Sequence, residues 1–429
     1  MSRRAGRART PAAPQSPHNA NPVAKGLRRT RSVRPTTVPP PLSAAGAGKV
    51  RLGDVFDLQM GKTPARARQD YWGGANKWIS IADIGKANIV ISKTAEGISD
   101  KAVIESGIKI VPANTLIMSF KLSIGKTAIT AEPMYTNEAI MAFLPKSNVE
   151  FDLHYLYHQF SNKDWSLGSN LAVIGLTLNK KSLQEHIILS PPLPTQQRIA
   201  DELDRLCALK KNAEDRLAIL DQIVKSRFVE MFGDETELSK LADETELITK
   251  GTTPTSLGFS FVEEGVNFVK IETFCEDGSL LPNKVAHITE ECHHALRRSQ
   301  LKVNDVLFSI AGAIGRVAVV DDRILPANTN QALAIIRLRT DARLIVPYLV
   351  EVLKSEVVSR QYMAMKQGVA QLNISLKNIG DFRLPVPPLA LQREFAAFVA
   401  EVDKSKLTLR ETVVTLDQLY RAKLQKYFG

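Results

Sequence analysis

The sequence has few cysteines and no long apolar run. Its three cysteines, Cys207, Cys275 and Cys292, are too sparse and too odd in number for a disulfide framework, and this usage favours a reducing cytoplasm. No apolar run approaches the roughly 18 residues needed to cross a bilayer. The basic N-terminus has no apolar stretch behind it, so it does not resemble a secretory signal. We therefore expect a cytoplasmic protein that does not associate with membranes.

Acidic residues are absent from the first 50 positions. Those positions hold ten Lys and Arg, whereas the rest of the chain holds 46 basic and 45 acidic residues. The net charge of +11 therefore belongs to the tail and does not by itself indicate a DNA-binding domain. Residues 1–47 are rich in Arg, Pro, Ala and Ser, and we predict that they are disordered. The tail is either a linker-like extension or a source of sequence-independent attraction to phosphate.

Nucleotide-binding and catalytic motifs are also missing. Gly61-Lys62-Thr63 and Gly125-Lys126-Thr127 resemble the end of a phosphate-binding loop, but Phe56 and Phe120 occupy the place of its first glycine. No Ser/His/Asp set and no pair of carboxylates stands out. We therefore predict no catalytic residue in this chain.

Motifs for metal binding and methyl transfer are missing as well. The run Cys292-His293-His294, together with Cys275, matches no zinc spacing, so we predict no metal site. An adenine methyltransferase would need an Asn/Asp-Pro-Pro-aromatic loop and a glycine-rich cofactor turn. The Pro-Pro pairs here are followed by Leu193 and Leu389 instead. We therefore predict that the chain binds no cofactor of its own.

What the sequence does contain is a long internal repeat. Early matches are 190 residues apart, and later ones drift to 196. A period of this length is far too long for a solenoid and indicates a duplicated domain. The matched segments are Leu52…Pro64 with Leu241…Pro254, Trp78–Ile81 with Phe268–Ile271, Asn114…Lys126 with Asn304…Arg316, Asn137–Ala139 with Asn330–Ala332, Pro191–Leu193 with Pro387–Leu389, and Leu220–Gln222 with Leu416–Gln418.

Each copy combines a β-rich part with a long helix. The first parts, residues 48–192 and 234–388, mix short β-branched runs with Gly, Asn and Pro, which predicts mostly β domains with a few helices. The second parts, residues 193–233 and 389–429, follow Pro-Pro pairs and are free of Gly and Pro over more than 35 residues. The predicted fold class is α+β, with two duplicated β-rich domains that each lead into a long helix.

Both helices carry apolar residues alternately four and three positions apart. This heptad spacing predicts that they pair with each other as an antiparallel coiled coil, which places the β domains at opposite ends. One lysine occupies the same position in each seam, and a polar seam residue can fix the register. The alternative is that each helix packs only on its own β domain. The predicted seam residues are Ile199, Leu203, Leu206, Lys210, Ala213, Leu217, Leu220 and Val224 in the first helix, and Phe395, Val399, Val402, Lys406, Leu409, Val413, Leu416 and Tyr420 in the second.

A short signature precedes each helix. Pro191–Gln196 and Pro387–Gln392 both read Pro-Pro-Leu-x-x-Gln. A Gly-x-Thr-Pro turn lies near the start of each domain, at Gly61–Pro64 and Gly251–Pro254, and a Ser…Ile-Gly-Lys/Arg element lies in its middle. Tandem domains with these motifs, each followed by a long helix, resemble the family of type I restriction–modification DNA-specificity subunits. The resemblance covers residues 48–429 and leaves out only the tail.

This resemblance implies a function in DNA recognition. Each repeat would be a target recognition domain that reads one half of a bipartite, asymmetric site in double-stranded DNA. The helices would set the spacer and dock two methylation subunits, which would bring S-adenosylmethionine and modify adenine. A separate translocase–endonuclease subunit would complete the restriction complex. The resemblance does not identify the bases that are read.

The candidate DNA contacts lie on the Gly/Thr and Gly/Lys loops. Glycine lets the backbone approach phosphate closely, and Lys or Arg can contact phosphate or guanine. Each candidate has the alternative of being a solvated turn residue. The candidates are Lys62, Thr63, Lys121, Ser123 and Lys126 in the first domain, and Thr252, Thr253, Lys270, Arg316 and Asn328 in the second.

Two other functions remain open from the sequence. A coiled-coil interaction scaffold that does not read DNA would account for the nearly neutral charge of the two domains. A protein with its own methyltransferase activity is the second alternative, although its motifs are missing. Salt-dependent DNA binding by a complex of this chain with a methyltransferase would distinguish DNA reading from the first alternative. Methyl transfer by the chain alone would establish the second.

Overall fold

The computed structural model describes residues 48–121, 123–147, 149–165, 178–233, 237–275, 278–365 and 373–429. The tail at residues 1–47, for which we predict disorder, lies outside the described residues. Among the helices that the model describes, none is both long enough and apolar enough to cross a membrane.

The first domain is built from small sheets and short helices. Its elements are β1 (Gly48–Arg51), α1 (Leu52–Val55), β2 (Phe56–Met60), β3 (Trp72–Ile79), α2 (Ile81–Lys86), β4 (Val90–Ile91), β5 (Glu96–Ile98), α3 (Asp100–Ser106), β6 (Leu116–Ser119), β7 (Thr127–Thr130), β8 (Tyr135–Thr136), β9 (Ile140–Pro145), α4 (Leu153–Asn162), α5 (Lys180–Glu185) and β10 (Ile187–Ser190). A five-stranded sheet has the order β2-β9-β6-β7-β4, and a three-stranded sheet has the order β5-β3-β8. The antiparallel pair β1-β10 joins the start of the domain to its end.

The second domain repeats this plan. Its elements are β11 (Leu238–Lys240), α7 (Leu241–Glu244), β12 (Thr245–Lys250), β13 (Val266–Val269), β14 (Ala286–Ile288), α8 (Glu290–Ala295), β15 (Val306–Ser309), β16 (Val317–Val319), β17 (Ala327–Thr329), β18 (Leu333–Leu338), α9 (Val346–Lys354), α10 (Glu356–Ala364), α11 (Leu376–Gly380) and β19 (Arg383–Pro385). The sheets have the orders β12-β18-β15-β16, β14-β13-β17 and β11-β19.

The two domains therefore share one topology. The order β2-β9-β6-β7 corresponds to β12-β18-β15-β16, and the order β5-β3-β8 corresponds to β14-β13-β17. In both three-stranded sheets the central strand pairs antiparallel with one neighbour and parallel with the other. In the described residues, the first domain adds β4 to the edge of its larger sheet. The predicted duplication and α+β class are confirmed.

The signature before each long helix has a structural reason. The helices are α6 (Leu193–Phe232) and α12 (Leu389–Phe428), each of 40 residues. The last residue of each signature is a buried glutamine. Gln196 donates to the Pro191 carbonyl oxygen (2.8 Å) and accepts from the Asp152 N–H (3.0 Å). Gln392 makes the matching bonds in the second domain, at 2.8 and 3.0 Å. Each glutamine thus ties the start of its helix to its own domain.

The two long helices pack against each other in antiparallel directions. The first turns of α6, at Ile199 and Leu203, share a core with the first domain and with Leu424 of α12. The other end of α6, at Phe228, shares a core with the second domain and with Phe395 of α12. The domains therefore lie at opposite ends of the helix pair. A helix of 40 residues is about 60 Å long at 1.5 Å per residue.

Two ion pairs between the helices repeat each other. Lys210 Nζ lies 2.6 Å from Asp417 Oδ1, and Lys406 Nζ lies 2.6 Å from Asp221 Oδ1. The two lysines are 196 residues apart in sequence, and so are the two aspartates. The pairs are therefore equivalent under a twofold exchange of the repeats. Such a reciprocal pair of contacts holds only in one register of the two helices.

The burial of the helices follows the predicted seam. None of the predicted seam residues is exposed, and burial is greatest toward the two ends, where a β domain also covers the helices. The buried members are Ile199, Leu203, Leu206, Ala213, Val224, Phe395, Val399 and Val402. The half-buried members are Lys210, Leu217, Leu220, Lys406, Leu409, Val413, Leu416 and Tyr420.

Candidate nucleic-acid interface

In the first domain the Gly-x-Thr-Pro turn lies directly against the Asn-Glu-Ala turn. The Lys62 N–H donates to the carbonyl oxygen of Thr136 (2.8 Å). A Cβ on Gly61 would lie 2.2 Å from the carbonyl oxygens of Thr136 and Asn137, so only glycine fits. The Asn137 side chain shapes its own turn by accepting from the Ala139 N–H (3.0 Å). Two motifs that are far apart in sequence therefore form one surface.

The same two turns meet in the second domain, through a different backbone hydrogen bond. The Gly251 N–H donates to the Asn330 carbonyl oxygen (3.1 Å), and the Asn330 side chain accepts from the Ala332 N–H (3.1 Å). A Cβ on Gly251 would lie 1.8 Å from the Thr329 carbonyl oxygen. The close approach of the two backbones therefore excludes a side chain at this position in both domains.

The Ser…Ile-Gly-Lys/Arg element forms a third loop of one shape. The Ser119 N–H donates to the Lys126 carbonyl oxygen (2.8 Å), and the Lys126 N–H donates to Ser119 Oγ (3.1 Å). Ser309 and Arg316 make the same two bonds, at 2.9 and 2.8 Å. The turn needs glycine because Gly125 and Gly315 have positive φ values of 89° and 87°.

Backbone bonds join this third loop to the turn that begins at Asn137 or Asn330, which in turn contacts the Gly-x-Thr-Pro turn. The Phe120 N–H donates to the Ala139 carbonyl oxygen (2.9 Å), and the Ile310 N–H donates to the Ala332 carbonyl oxygen (2.9 Å). In each domain the three repeated motifs therefore come together, and we call this surface the loop cluster. The loop cluster consists of residues 61–64, 119–121, 123–126 and 137–139 in the first domain, and residues 251–254, 309–316 and 330–332 in the second.

The three candidate lysines of the first domain differ in their surroundings. Lys126 is exposed. Lys62 is also exposed, and its ammonium group donates to the Ser106 carbonyl oxygen. Lys121 is half-buried, with Nζ 5.2 Å from the centroid of the Phe120 ring. All three lie in the loop cluster, and Lys126 and Lys62 present the most accessible positive charge there.

The two candidate hydroxyl residues of the first domain are held differently. Thr63 is half-buried, and its hydroxyl donates to the carboxylate of Glu138. Ser123 is exposed, and its backbone carbonyl oxygen accepts from the Ser119 hydroxyl. The backbone at Ser123 is therefore fixed, while its own side chain lies at the surface.

The candidate threonines and the candidate lysine of the second domain have different surroundings. Thr252 and Thr253 are half-buried, and the Thr253 hydroxyl donates to the side-chain oxygen of Gln331. Lys270 lies outside the loop cluster, at the end of β13. Its Nζ lies 4.2 Å from the centroid of the Phe261 ring, a geometry that favours a cation–π interaction.

Arg316 is engaged with the protein itself. Its guanidinium group donates to the carbonyl oxygens of Phe274 (2.9 Å) and Ile271 (3.4 Å), and the residue is half-buried. The equivalent Lys126 is exposed. Arg316 therefore stabilises the backbone behind its loop, and it is less available for DNA than the prediction required.

The structure does not support a DNA contact by Asn328, and that prediction was wrong. Asn328 lies in β17 with no exposed surface. Its side-chain N–H groups donate to the Leu296 carbonyl oxygen and to Ser299 Oγ, both at 3.0 Å, and its side-chain oxygen contacts His293. A buried amide with all of these partners stabilises the core. The local sequence, a polar residue in a short strand, does not indicate that this side chain is buried.

One cluster beside the first loop cluster was not predicted. The Arg66 guanidinium carbon lies 3.8 Å from the centroid of the Trp72 ring and 5.0 Å from that of Trp78. Arg66 also makes a two-point contact with Glu96, at 2.6 and 3.0 Å. The signal was the mixture of basic and aromatic residues over positions 66–72, a composition common at nucleic-acid surfaces.

A second arginine on this segment is also held by acids. Arg68 donates to both oxygens of Asp70, at 2.9 and 2.8 Å. Hydrogen bonds from Arg68 and Lys101 hold the pKa of the exposed Asp70 carboxyl well below its ordinary value. The segment therefore combines positive charge with a fixed conformation.

No metal centre is formed by the part of the chain that the structure describes. There, no group of three or more His, Cys, Asp or Glu side chains is placed to hold a metal ion. Cys292 is buried, and the neighbouring His293 contacts Asn328. Cys275 is half-buried and has no disulfide partner.

Comparison with known proteins gives consistent sequence matches. A family model described as the type I restriction modification DNA specificity domain matches residues 46–219 and again residues 234–415. The chain is 30% identical over 250 residues to the type I restriction enzyme MjaIX specificity subunit of Methanocaldococcus jannaschii, over 56% of this chain and 57% of that relative's length. It is 23% identical over 347 residues to the EcoBI specificity subunit of Escherichia coli, over 73% of this chain and 72% of that relative.

Two solved structures share the fold. A chain from a structure on complex assembly and conformational transition of the type I R-M system has a TM-score of 0.56 and 18% identity, covering 91% of this chain and 99% of its own. The type I restriction–modification S subunit from M. genitalium has a TM-score of 0.52 and 15% identity, covering 89% of this chain and 96% of its own. The two segments matched by the family model coincide with the two copies of the internal repeat.

Proposed function

Because this chain belongs to the family of type I restriction–modification DNA specificity subunits, we propose that its two domains read the two halves of a bipartite, asymmetric site in double-stranded DNA. One observation supports this most strongly. Two domains of one topology are fixed at opposite ends of an antiparallel helix pair. Their side chains differ beyond the repeated motifs, so each domain offers DNA a different surface. Different surfaces at a fixed distance suit two different half-sites separated by an unread spacer.

The loop clusters are the surfaces that we assign to DNA. In each cluster, a buried glycine lets two turns pack backbone against backbone, and the threonine hydroxyl of the same Gly-x-Thr-Pro turn lies close by. Lys62 and Lys126 add exposed positive charge in the first domain. Such groups bind phosphate and fix the orientation of a protein on the duplex. We assign Lys62, Thr63, Lys121, Ser123 and Lys126 to this role, with Thr252, Thr253 and Lys270 in the second domain.

The outer faces of the long helices offer a surface for protein partners. Seven large apolar side chains on these helices lie outside the seam, and each is at least 42% exposed. Several exposed large apolar side chains on one pair of helices favour a contact with another protein. We assign them to two copies of a methylation subunit, which would hold S-adenosylmethionine, with a translocase–endonuclease subunit completing the complex. The seven side chains are Leu209, Ile219, Ile223, Val229, Leu407, Val414 and Leu419.

Reconstitution tests this function. The purified chain alone should show no methyl transfer, DNA cleavage or ATP hydrolysis. Adding a methylation subunit and S-adenosylmethionine should produce methylation at one bipartite motif, read by sequencing of the modified DNA. Turnover by the isolated chain would contradict the proposal. A stable complex that modifies DNA without sequence preference would instead support the coiled-coil scaffold.

A further inference from the structure

One side-chain contact recurs at the same place in both loop clusters. The Thr63 hydroxyl donates to the Glu138 carboxylate, and the Thr253 hydroxyl donates to the Gln331 side-chain oxygen. In each domain the threonine comes from the Gly-x-Thr-Pro turn and the acceptor from the turn that follows Asn137 or Asn330. Because the two domains differ in most other surface residues, a contact kept in both serves something that both domains do.

The contact lies where the chain leaves the sheet. Backbone hydrogen bonds hold residues 61 and 62 in the first domain and residue 251 in the second. Beyond Pro64 and Pro254, residues 65–70 and 255–258 are all exposed. The hydrogen bond of the threonine and the buried proline that follows it therefore hold the chain just before each exposed segment begins.

The acceptors differ in charge although they match in position. Glu138 and Gln331 are both exposed and both accept from a threonine, but only Glu138 carries a negative charge. The glutamate lies among basic groups, with Lys62 on the same loop cluster and Arg66 near enough to interact electrostatically. A carboxylate at this place offsets part of the positive charge that would attract phosphate.

We propose that Glu138 and Gln331 are positioning residues for DNA binding, each holding the Gly-x-Thr-Pro turn of its domain in the conformation that meets the phosphate backbone. The carboxylate of Glu138 lowers the phosphate affinity that the lysines give the first loop cluster, whereas the neutral Gln331 has no such effect in the second. This inference rests on the proposed function, since it assigns roles within the surface that reads DNA. It places neither residue in contact with a base.

The charge difference is tested by exchanging the two acceptors. Binding of the reconstituted complex to its target duplex would be measured across a salt series for Glu138→Gln and Gln331→Glu. Glu138→Gln should bind about threefold more tightly, and the slope of log affinity against log salt should steepen by about one, because one more phosphate is neutralised. Gln331→Glu should change both quantities in the opposite direction. A residue with only a structural role would not move the slope in this way.

The hydrogen bond is tested through the threonines. Thr63→Val and Thr253→Val keep the shape and remove the donor, so both should weaken binding, whereas Thr63→Ser should restore it. Glu185→Gln is the matched control in the first domain, because Glu185 is an exposed carboxylate that pairs with Arg51 beside β1. This control should leave the slope unchanged.

The sequence of the methylated motif distinguishes a positioning role from direct reading of a base. It should be the same for the wild-type complex and for every variant. A new base preference in one half-site of Glu138→Gln or Gln331→Glu would show that the residue reads a base, and it would overturn the positioning role. Unchanged affinity and slope in all variants would also overturn it. Failure of the proposed function itself would look different, because the wild-type complex would then show no preferred sequence.

Discussion

At the scale of single residues, the junction between the first domain and the long helices depends on Asp204. This carboxylate lies 2.7 Å from His158 Nε2 and 2.6 Å from His154 Nδ1, both on α4. The other ring nitrogen of the fully buried His158 lies 2.9 Å from the hydroxyl of Tyr420 on α12. One carboxylate therefore links the domain to both helices.

The environment of Asp204 gives a pH dependence with a definite sign. Burial raises the pKa of Asp204, but hydrogen bonds and charge from His158 and His154 outweigh burial and hold the pKa below its ordinary value. A carboxyl with a lowered pKa in the folded state stabilises the fold above its unfolded-state pKa of about 3.9. This contribution is lost as the pH falls through the folded-state pKa.

Asp204→Asn should therefore lower the free energy of unfolding at pH 7, by about 1.5–3 kcal/mol as for hydrogen bonds to charged groups. The difference from wild type should shrink as the pH falls below about 4, because Asp204 takes up a proton first in the unfolded chain, and it should be lost once the folded-state carboxylate is protonated as well. Thermal unfolding from pH 3 to pH 7 measures both effects. A difference that is constant over this range would mean that Asp204 acts through packing alone.

Single residues were the least predictable level of the structure. The repeated glycines could be recognised because a close backbone approach excludes every side chain, and the approach is the same in both domains. Asn328 and Arg316 have the composition of DNA contacts, but their partners come from segments that are distant in sequence. The Arg66 cluster depends in the same way on Glu96, which lies in β5, 30 residues further along the chain. Side-chain partners across a sheet are not encoded in local spacing.

At the scale of elements, the helices were predictable because their periodicity is local. A heptad pattern free of Gly and Pro predicts both the helix and the face that it buries. Local periodicity could not predict the order of the strands in each sheet, because pairs such as β2 with β9 join segments more than 80 residues apart. The duplication could be recognised, but the shared strand order had to come from the structure.

The reciprocal Lys–Asp pairs predict how one repeat behaves alone. In the whole chain, Lys210 meets Asp417, which is the counterpart of Asp221 on the other helix. Two copies of α6 packed antiparallel would therefore place Lys210 of each copy opposite Asp221 of the other. A fragment ending at Gly233 should fold, dimerise and favour a palindrome of the first half-site.

Sedimentation measures whether the fragment dimerises, and binding-site selection measures which DNA sequence it prefers. Asp221→Lys should weaken the fragment dimer by opposing like charges, and Lys210→Asp combined with it should restore the dimer; each exposed pair is worth about 0.2–1 kcal/mol. A fragment that stays monomeric at micromolar concentration, or one that keeps an asymmetric preference, would contradict it.

At the scale of the whole molecule, the helix pair acts as a spacer of fixed length. Cores at its two ends attach the domains, and the reciprocal ion pairs fix its register. The central claim is that this length sets the distance between the two half-sites. Under this proposal the loop clusters would read the bases, and the helices would set the spacing.

A heptad inserted after Ala213 and another after Leu409 would lengthen the spacer without disturbing its seam. Lys210 and Asp417 remain together on one side of both insertion points, and Asp221 and Lys406 remain together on the other. The helix pair grows by about 10 Å. At about 3.4 Å per base pair, this corresponds to one to three base pairs, with the rotation of one half-site around the DNA axis opposing the full extension.

Sequencing the methylated sites in a strain that carries this double insertion tests the claim most directly. The unread spacer should lengthen by about one to three base pairs, and both half-site sequences should stay as they are in the wild type. An unchanged spacer at full activity would contradict the claim, because the helices would then not set the distance. Altered half-site bases would contradict it as well, because the helices would then take part in reading.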